Sequence, residues 1–173
     1  GPAKESHVLG IWTRAAVLVL LSLFAVFAQA EGEPFKLSGR TLAGQPFSSE
    51  AQRGKVLMLF YWSTDCAVCR SKMAELRANA QGWRGKPFEL VLVSEDRRRD
   101  DLLAYDKAWK STQDPALQPP SLWAGDAGFV DSLRQRPKRL PFTVVLDAQG
   151  MERANFEGRI PAEAWDAVAE LLP

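Results

Sequence analysis

The chain has 173 residues, with 22 Lys and Arg against 21 Asp and Glu, so its formal net charge is +1. This balance excludes the strongly basic surface typical of nucleic-acid-binding proteins, and a hydrophobic content of 46% excludes a disordered chain. The single histidine, His7, falls in a segment that we expect to be removed, which excludes histidine catalysis and histidine-ligated metals from the mature protein. Cys66 and Cys69 are too few for a disulfide framework or a four-thiolate zinc site. We predict neither a cofactor nor a metal, and the two thiols are the first candidates for chemistry.

Residues 1–30 have the three parts of a secretory signal. Basic residues precede an uncharged apolar run over residues 15–28, which is followed by the small-x-small sequence Ala28-Gln29-Ala30. The run is shorter than the ~20 residues that a membrane-spanning helix needs. An uncleaved membrane anchor and a buried core helix remain as alternatives. We predict export to the bacterial periplasm and one domain over residues 31–173.

The mature chain begins with a hairpin and a buried strand. Residues 35–47 have the turn residues and alternation of a short hairpin, and residues 55–62 form a continuous apolar run that predicts a strand buried on both faces. Polar residues then precede Cys66, and from Cys69 onward the apolar residues recur with helical period up to Gly82. The strand is therefore expected to run directly into a helix that begins at Cys66.

The remaining chain alternates between strands and helices. We predict strands at 88–94, 142–146 and 151–156, helices at 100–110, 129–133 and from Pro161 onward, and a proline-containing loop at 112–120. This order predicts an α/β fold with a mixed central sheet and helices on both faces.

The position of the cysteines indicates their chemistry. A helix N-terminus carries partial positive charge and unpaired N–H groups, which favour a thiolate in the first turn. Two intervening residues let the second thiol attack a mixed disulfide formed by the first. We predict that Cys66 is the exposed nucleophile and that Cys69 is the buried resolving thiol. Zinc is disfavoured because the chain offers no second pair of ligands.

Five short motifs occur in chain order: Leu42-Ala43-Gly44-Gln45, Arg53-Gly54-Lys55-Val56 with Phe60-Tyr61-Trp62, Val91-Leu92-Val93-Ser94, Leu140-Pro141-Phe142-Thr143, and residues 147–150 with Gly158. Together they resemble the thioredoxin-like proteins of the TlpA/ResA type, a family that includes exported reductases of cytochrome c maturation. The resemblance implies a thioredoxin-like fold with an N-terminal hairpin extension. It also implies a thiol–disulfide oxidoreductase with a cis-proline at Pro141 opposite the cysteines.

The chain departs from the family pattern around the cysteines. Asp65 stands where the family usually has Trp, and Ala67-Val68 lacks the proline that is often found between the cysteines. We expect Asp65 to cap the helix and, as a carboxylate beside Cys66, to oppose formation of the thiolate. A strong oxidant needs a highly stabilised thiolate, so these residues favour a reductant.

Four further candidate residues have alternative interpretations. A cis bond at Pro141, with Leu140 beside it, would expose backbone groups to a substrate strand, whereas an ordinary edge proline would not. By resemblance, Glu95 is an acid that moves protons near the cysteines; the alternatives are a solvated carboxylate, or Asp96 in the same role. Trp62 either flanks the substrate-binding surface or packs in the core.

The sequence as a whole predicts an exported, monomeric protein-disulfide reductase. Its partners would be protein disulfides, including apocytochrome c, stress-defence proteins or a general disulfide pool, and a membrane electron donor of the DsbD type. Two alternatives stay open. A thiol peroxidase would use Ser63, three residues before Cys66, although Leu59 stands where such enzymes have a proline. The other is a redox-inactive binding or chaperone module on the same fold.

Overall fold

The computed structural model of the chain describes residues 32–112, 114 and 117–173. Contacts divide the chain into two units, Gly1–Glu33 and Pro34–Pro173, and every element named below belongs to the second unit. The predicted signal over residues 1–30, including His7, lies outside the described residues. No helix in the described residues is both long enough and apolar enough to cross a membrane.

A five-stranded sheet in the order β5-β4-β3-β7-β8 forms the centre of the fold. β3 lies in the middle, parallel to β4 on one side and antiparallel to β7 on the other. The strands are β3 Val56–Trp62, β4 Phe88–Ser94, β5 Ser121–Trp123, β7 Phe142–Leu146 and β8 Glu152–Glu157. The mixed sheet and its central buried strand are confirmed, whereas β5 was not expected.

A second, three-stranded sheet contains the N-terminal hairpin. The predicted hairpin is confirmed as β1 Leu37–Arg40 and β2 Pro46–Ser48. The short helix predicted at residues 129–133 is wrong, because β6 Val130–Asp131 lies there and pairs antiparallel with β1. The backbone of this segment is extended because it pairs with β1, which is distant in sequence. The Lys36 N–H also donates a 2.7 Å hydrogen bond to Ser132 Oγ.

Three α-helices occur in the described residues, and all three pack on one face of the central sheet. They are α1 Ala67–Gly82, α2 Arg99–Lys110 and α3 Ala162–Leu171. Buried residues from each helix belong to one core cluster. The predicted α/β fold with a mixed central sheet and helices is confirmed, with the difference that the hairpin, rather than an α-helix of the described residues, covers the other face. The chain steps from β3 to β4 to β5 in one direction, and right-handed crossovers then place both α1 and α2 on the same side.

Alternate residues of β3 point into two cores. Val56, Met58, Phe60 and Trp62 belong to the helix-side core, and Leu57, Leu59 and Tyr61 belong to the core beneath the hairpin. All seven residues of β3 are buried. Because fully burying a large apolar side chain contributes about 1.5–3 kcal/mol, this strand is fixed from both sides. Its carboxyl end, where α1 begins, is thereby held in place.

Candidate functional site

The two cysteines lie at the junction between β3 and α1. β3 ends at Trp62, and α1 begins at Ala67 with Cys66 as its N-cap residue. Cys66 and Cys69 form a disulfide with their Cα atoms 5.2 Å apart. The Cys69 N–H donates a 3.1 Å hydrogen bond to Cys66 Sγ. The sulfur thus satisfies one of the N–H groups that the first turn of a helix leaves without an intrahelical partner.

The expected helix cap at Asp65 is wrong. Cys66 occupies the cap position, and the Asp65 carboxylate accepts a hydrogen bond from Ser63 Oγ instead. A capping side chain reaches the N–H groups two or three residues ahead of it, and Asp65 lies one residue too early to do so. Asp65 therefore belongs to the loop before the cysteines and remains exposed there.

The two sulfur-bearing residues differ in accessibility. Cys69 is 0% exposed and packs in the helix-side core, whereas Cys66 is only partly buried. Val68, between them, is 50% exposed, which is unusual for a large apolar side chain. The disulfide therefore presents Cys66 to solvent beside a small apolar surface. Within the described part of the chain, no group of three or more His, Cys, Asp or Glu is arranged to hold a metal ion.

Asp96 fixes the loop that precedes the disulfide. Its carboxylate accepts hydrogen bonds from Thr64 N at 3.0 Å, from Thr64 Oγ1 at 2.6 Å and from Ser94 Oγ at 2.6 Å. Its backbone carbonyl accepts a further bond from Trp123 Nε1 at 2.7 Å. Asp96 is 8% exposed, so these bonds compensate for the loss of water around the carboxylate. The loop between β3 and Cys66 is thereby tied to the ends of β4 and β5.

Glu95 lies at the same sheet edge, in a cluster that sequence reasoning missed. The Glu95 N–H donates to Trp62 O at 2.7 Å, and Arg136 Nη2 donates to the Glu95 carboxylate at 2.5 Å. Arg136 also binds both carboxylate oxygens of Asp131 at 2.9 Å, and Tyr61 Oη donates to Asp131 at 2.9 Å. We call Tyr61, Glu95, Asp131 and Arg136 the acid–arginine cluster. Tyr61 and Asp131 are 70 residues apart in sequence, and no local pattern signals their contact.

Burial and neighbouring charges determine the protonation states of Tyr61 and Arg136. Burial, reinforced by the charge of Asp131, raises the pKa of Tyr61 far above its ordinary value, so the hydroxyl stays neutral and donates. Burial lowers the pKa of Arg136, but its hydrogen bonds to Asp131 and Glu95 outweigh this effect, and the net shift is upward. Arg136 is therefore a permanent cation in contact with two carboxylates.

The Leu140–Pro141 peptide bond is cis, as the resemblance implied. Phe142 pairs with Tyr61 across β3 and β7, so Pro141 lies beside the end of β3, at the same sheet edge as the disulfide. Pro141 is buried, and its carbonyl accepts a 2.8 Å hydrogen bond from Gly158 N. Leu140 is partly buried and packs against both cores. The structure thus brings Leu140 and Pro141 to the edge that carries the cysteines.

Trp62 does not lie on this surface. Its side chain is 1% exposed and packs edge-on against Tyr105, with the ring centroids 4.9 Å apart. The prediction that Trp62 contacts a substrate is therefore wrong, since the indole offers no surface to a bound molecule. Of its two interpretations, packing in the core is the one that the burial supports.

Comparisons with known proteins place this geometry in a family. Residues 29–161 match the model of the AhpC/TSA family, which covers the sheet, the disulfide and the cis-proline. Comparison with curated protein sequences gives no match.

Solved structures with the same fold extend over most of the chain. A thiol:disulfide interchange protein of the thioredoxin family from Chlorobium tepidum is 21% identical, with a TM-score of 0.60, covering 82% of this chain and 97% of that one. StoA from Bacillus subtilis is 17% identical, with a TM-score of 0.60 and coverages of 78% and 96%. A secreted thiol-disulfide isomerase from Corynebacterium glutamicum is 24% identical, with a TM-score of 0.61 and coverages of 80% and 82%. These likenesses show the fold. The chain has a thioredoxin-like fold and belongs to the AhpC/TSA family.

Proposed function

We propose that the protein is an exported thiol–disulfide oxidoreductase that reduces protein disulfides through Cys66 and Cys69. The observation that carries this proposal is the pair of sulfurs at the start of α1, one accessible and hydrogen-bonded to the helix backbone, the other buried. The family match and the shared fold are compatible with this activity.

The two residues have distinct roles in the proposed reaction. In the reduced protein, the Cys66 thiolate attacks one sulfur of a substrate disulfide and releases the other as a thiolate. The Cys69 thiolate then attacks Cys66 Sγ, which releases the second substrate thiolate and forms the Cys66–Cys69 disulfide. Two electrons pass from the pair to the substrate, and the released thiolates take protons from water. A dithiol donor must return two electrons before the next cycle.

Helix α1 supports the nucleophile in this reaction. The Cys69 N–H that donates to Cys66 Sγ, together with the partial positive charge of the helix N-terminus, stabilises negative charge on that sulfur. Asp65 is exposed next to Cys66, and no described ion pair neutralises it, so its carboxylate opposes the same charge. This opposition favours a reducing pair over an oxidising one.

Cysteine variants test the assignment. Cys69→Ser is expected to accumulate a mixed disulfide between Cys66 and a substrate such as insulin, because the resolving thiol is absent. Cys66→Ser is expected to lose insulin reduction, and mass spectrometry of the two variants would show which sulfur carries the adduct. Full activity in Cys66→Ser would refute the proposal, and a redox-inactive binding module would then be the better account.

The redox direction needs a separate measurement. Equilibration of the pair against glutathione, followed by tryptophan fluorescence, gives its reduction potential. We expect a value at or below about −230 mV, in the range of reductants. A value nearer about −120 mV would make the protein an oxidant and would contradict the role assigned to Asp65.

The cellular setting forms part of the same proposal. The secretory pattern of residues 1–30 supports export to the periplasm, by cleavage or as a tethered anchor, with residues 31–173 as one thioredoxin-like domain. A pair kept reducing in that compartment requires a membrane electron donor of the DsbD type. The TlpA/ResA subtype and cytochrome c maturation follow from the sequence resemblance, and we propose a monomer.

Leu140, Pro141 and Glu95 complete the proposed site. Leu140 and Pro141 would lie along the substrate strand, beside the accessible Cys66. Glu95 would exchange protons with the thiols, and its backbone bond to Trp62 O fixes it at the end of β3.

Thiol peroxidase activity is a second candidate, which the family match favours. Ser63 is the hydroxyl residue three positions before Cys66, but its Oγ donates to Asp65, and Leu59 is buried in the middle of β3. Peroxide consumption by the reduced protein tests this candidate. A rate above that of free dithiothreitol would favour it over disulfide reduction.

A further inference from the structure

The surface around the disulfide carries a concentration of cationic side chains. Arg70 directly follows Cys69, and its Nη1 donates to Thr64 O at 2.5 Å, so its guanidinium lies beside the loop before Cys66. Lys138 and Arg139 precede Leu140, and Arg159 follows Gly158. We call Arg70, Arg136, Lys138, Arg139 and Arg159 the basic rim. All five residues are exposed.

Backbone contacts place the rim at the edge that carries the cysteines. Gly158 N donates to Pro141 O at 2.8 Å, so the backbone of the next residue, Arg159, lies close to the cis-proline. A Cβ placed on Gly158 would lie 3.9 Å from Arg139 Nε, which shows that the Arg139 side chain extends over this glycine. Pro141 itself lies next to the end of β3, because Phe142 pairs with Tyr61.

Most of this charge is not neutralised. In the described part of the chain, Arg70, Lys138, Arg139 and Arg159 make no ion pair within 4.0 Å. Arg136 is paired with Glu95 and Asp131, so its charge is compensated, and it contributes to the rim only as a 46% exposed guanidinium that can still donate hydrogen bonds.

The exposed acids at this edge are fewer than the cations. They are Asp65, in the loop before Cys66, Glu157, which pairs with Phe142 across β7 and β8, and Glu163, in the first turn of α3. Asp100 and Asp101, in the first turn of α2, are also exposed and are matched in charge by the exposed Arg97 and Arg98 that precede them. Because the whole chain has a formal net charge of only +1, the rim is a local excess rather than part of a generally basic surface.

We propose that the basic rim selects polypeptides whose cystine is flanked by acidic residues. Val68 is half-exposed between the two cysteines, and the partly buried Leu140 lies at the same edge of the sheet, so apolar and cationic side chains share this edge, as expected for a surface that receives a chain segment rather than a small molecule. Complementary charge raises the association rate and loses its effect at high ionic strength. This inference rests on the proposed function, because it names the substrates of the same cysteines.

Charge-matched peptides test the inference. Two cystine peptides of equal length, one with Glu on both sides of each Cys and one with Lys, are mixed with the reduced protein at low and high ionic strength. At low salt we expect the acidic peptide to react about tenfold faster or more, with the ratio approaching one at about 0.5 M salt. Equal rate constants at low salt would overturn the inference.

Charge reversal locates the effect. Arg139→Glu/Arg159→Glu is expected to remove the preference for the acidic peptide. Arg84→Glu/Lys86→Glu is the matched control, since both residues are exposed and precede β4 at the opposite end of the sheet. The preference should persist in this control, and its loss there would assign the effect to net charge and overturn the inference. Circular dichroism and a thermal melt confirm that each variant is folded.

A neutral disulfide separates this inference from the proposed function. If 2-hydroxyethyl disulfide does not react with the wild-type protein, the proposed function fails, and the inference fails with it. If the Arg139→Glu/Arg159→Glu variant slows the neutral and acidic disulfides by the same factor, the substitutions act on the thiols, and only the inference fails.

Competition identifies the class of partner. A single-stranded oligonucleotide is compared with an acidic peptide that has Ser in place of both Cys, each as an inhibitor of exchange. Stronger inhibition by the peptide supports a polypeptide partner. Stronger inhibition by the oligonucleotide would assign the surface to nucleic acid and overturn the inference.

Discussion

At the scale of single residues, Tyr61 is the member of the acid–arginine cluster whose ring packs in the core. Its ring is buried in β3, and its hydroxyl donates to Asp131, which Arg136 also binds. A buried hydroxyl bonded to a carboxylate is strongly favoured over the phenolate, because ionisation would place two negative charges together. The stability of the fold is therefore expected to depend on pH in the alkaline range.

We predict that Tyr61 contributes stability that is lost at high pH. The pKa of Tyr61 in the fold lies above the ordinary value of 10.0, so above that pH the unfolded chain releases a proton that the fold retains. The contribution is complete below pH 10 and falls by about 1.4 kcal/mol per pH unit above it. Tyr61→Phe, which loses a hydrogen bond of about 1–3 kcal/mol, lacks this dependence.

Urea unfolding between pH 7 and pH 11 measures the effect. The difference in unfolding free energy between wild type and Tyr61→Phe should be constant below pH 9 and should shrink above pH 10. A difference that stays constant up to pH 11 would contradict the assignment of the hydroxyl as a neutral donor.

At the scale of elements, the junction between β3 and α1 depends on a residue from another strand. Asp96 follows β4, yet its carboxylate holds both the N–H and the hydroxyl of Thr64, two residues before Cys66. The sequence shows why a helix starts near Cys66, because polar residues separate an apolar run from a helical pattern. It does not show what holds the intervening loop, since Thr64 and Asp96 are 32 residues apart.

We predict that Asp96 positions Cys66 without taking part in the reaction. Asp96→Ala removes the bonds to Thr64, so the sulfur is held less firmly at the helix N-terminus. The rate constant of Cys66 with a small neutral disulfide should fall several-fold. Asp96→Asn, which retains one carbonyl acceptor, should recover part of the rate.

A shift of the pH–rate profile distinguishes positioning from simple loss of stability. Asp96→Ala should move the profile of Cys66 alkylation to higher pH, since a less ordered cap stabilises the thiolate less. Glu75→Ala, which removes an exposed ion pair with Lys72 on the same helix, is the control and should leave the profile unchanged. An unchanged profile in Asp96→Ala would mean that this residue only stabilises the fold.

Other elements show where local patterns are insufficient. The buried strands β3, β4 and β7 were predicted because continuous apolar runs of this length are typical of strands covered on both faces. β6 has two residues, and only its pairing with β1 makes it a strand. The placement of α1 and α2 on one face depends on the order of strands in the sheet, which local periodicity does not contain.

At the scale of the whole molecule, the redox state of the cysteine pair is coupled to the stability of the fold. Suppose that the reduction potential of the cysteine pair is lower in the folded protein than in the unfolded chain. The free energy of unfolding must then be larger for the oxidised protein than for the reduced protein. Each 30 mV of that difference corresponds to about 1.4 kcal/mol. The relation follows from a thermodynamic cycle and applies to the entire chain.

If the protein is a reductant, the oxidised form should therefore resist unfolding better than the reduced form. Urea unfolding with and without a phosphine reductant measures both free energies. A Cys66→Ala/Cys69→Ala variant, unaffected by the reductant, controls for its direct effects. Greater stability of the reduced form would instead indicate an oxidant.

The point at which the chain enters the fold determines how the protein can be handled. Phe35 N donates to Gly150 O in the turn after β7, and Leu57, near the start of β3, pairs with Leu146, near the end of β7. Phe35 therefore lies at the end of the sheet opposite to the disulfide. An affinity tag, a fluorescent protein or a biosensor chip linked ahead of Phe35 would attach at that far end. Immobilisation there leaves Cys66 facing outward, so exchange with large proteins can be followed on a surface.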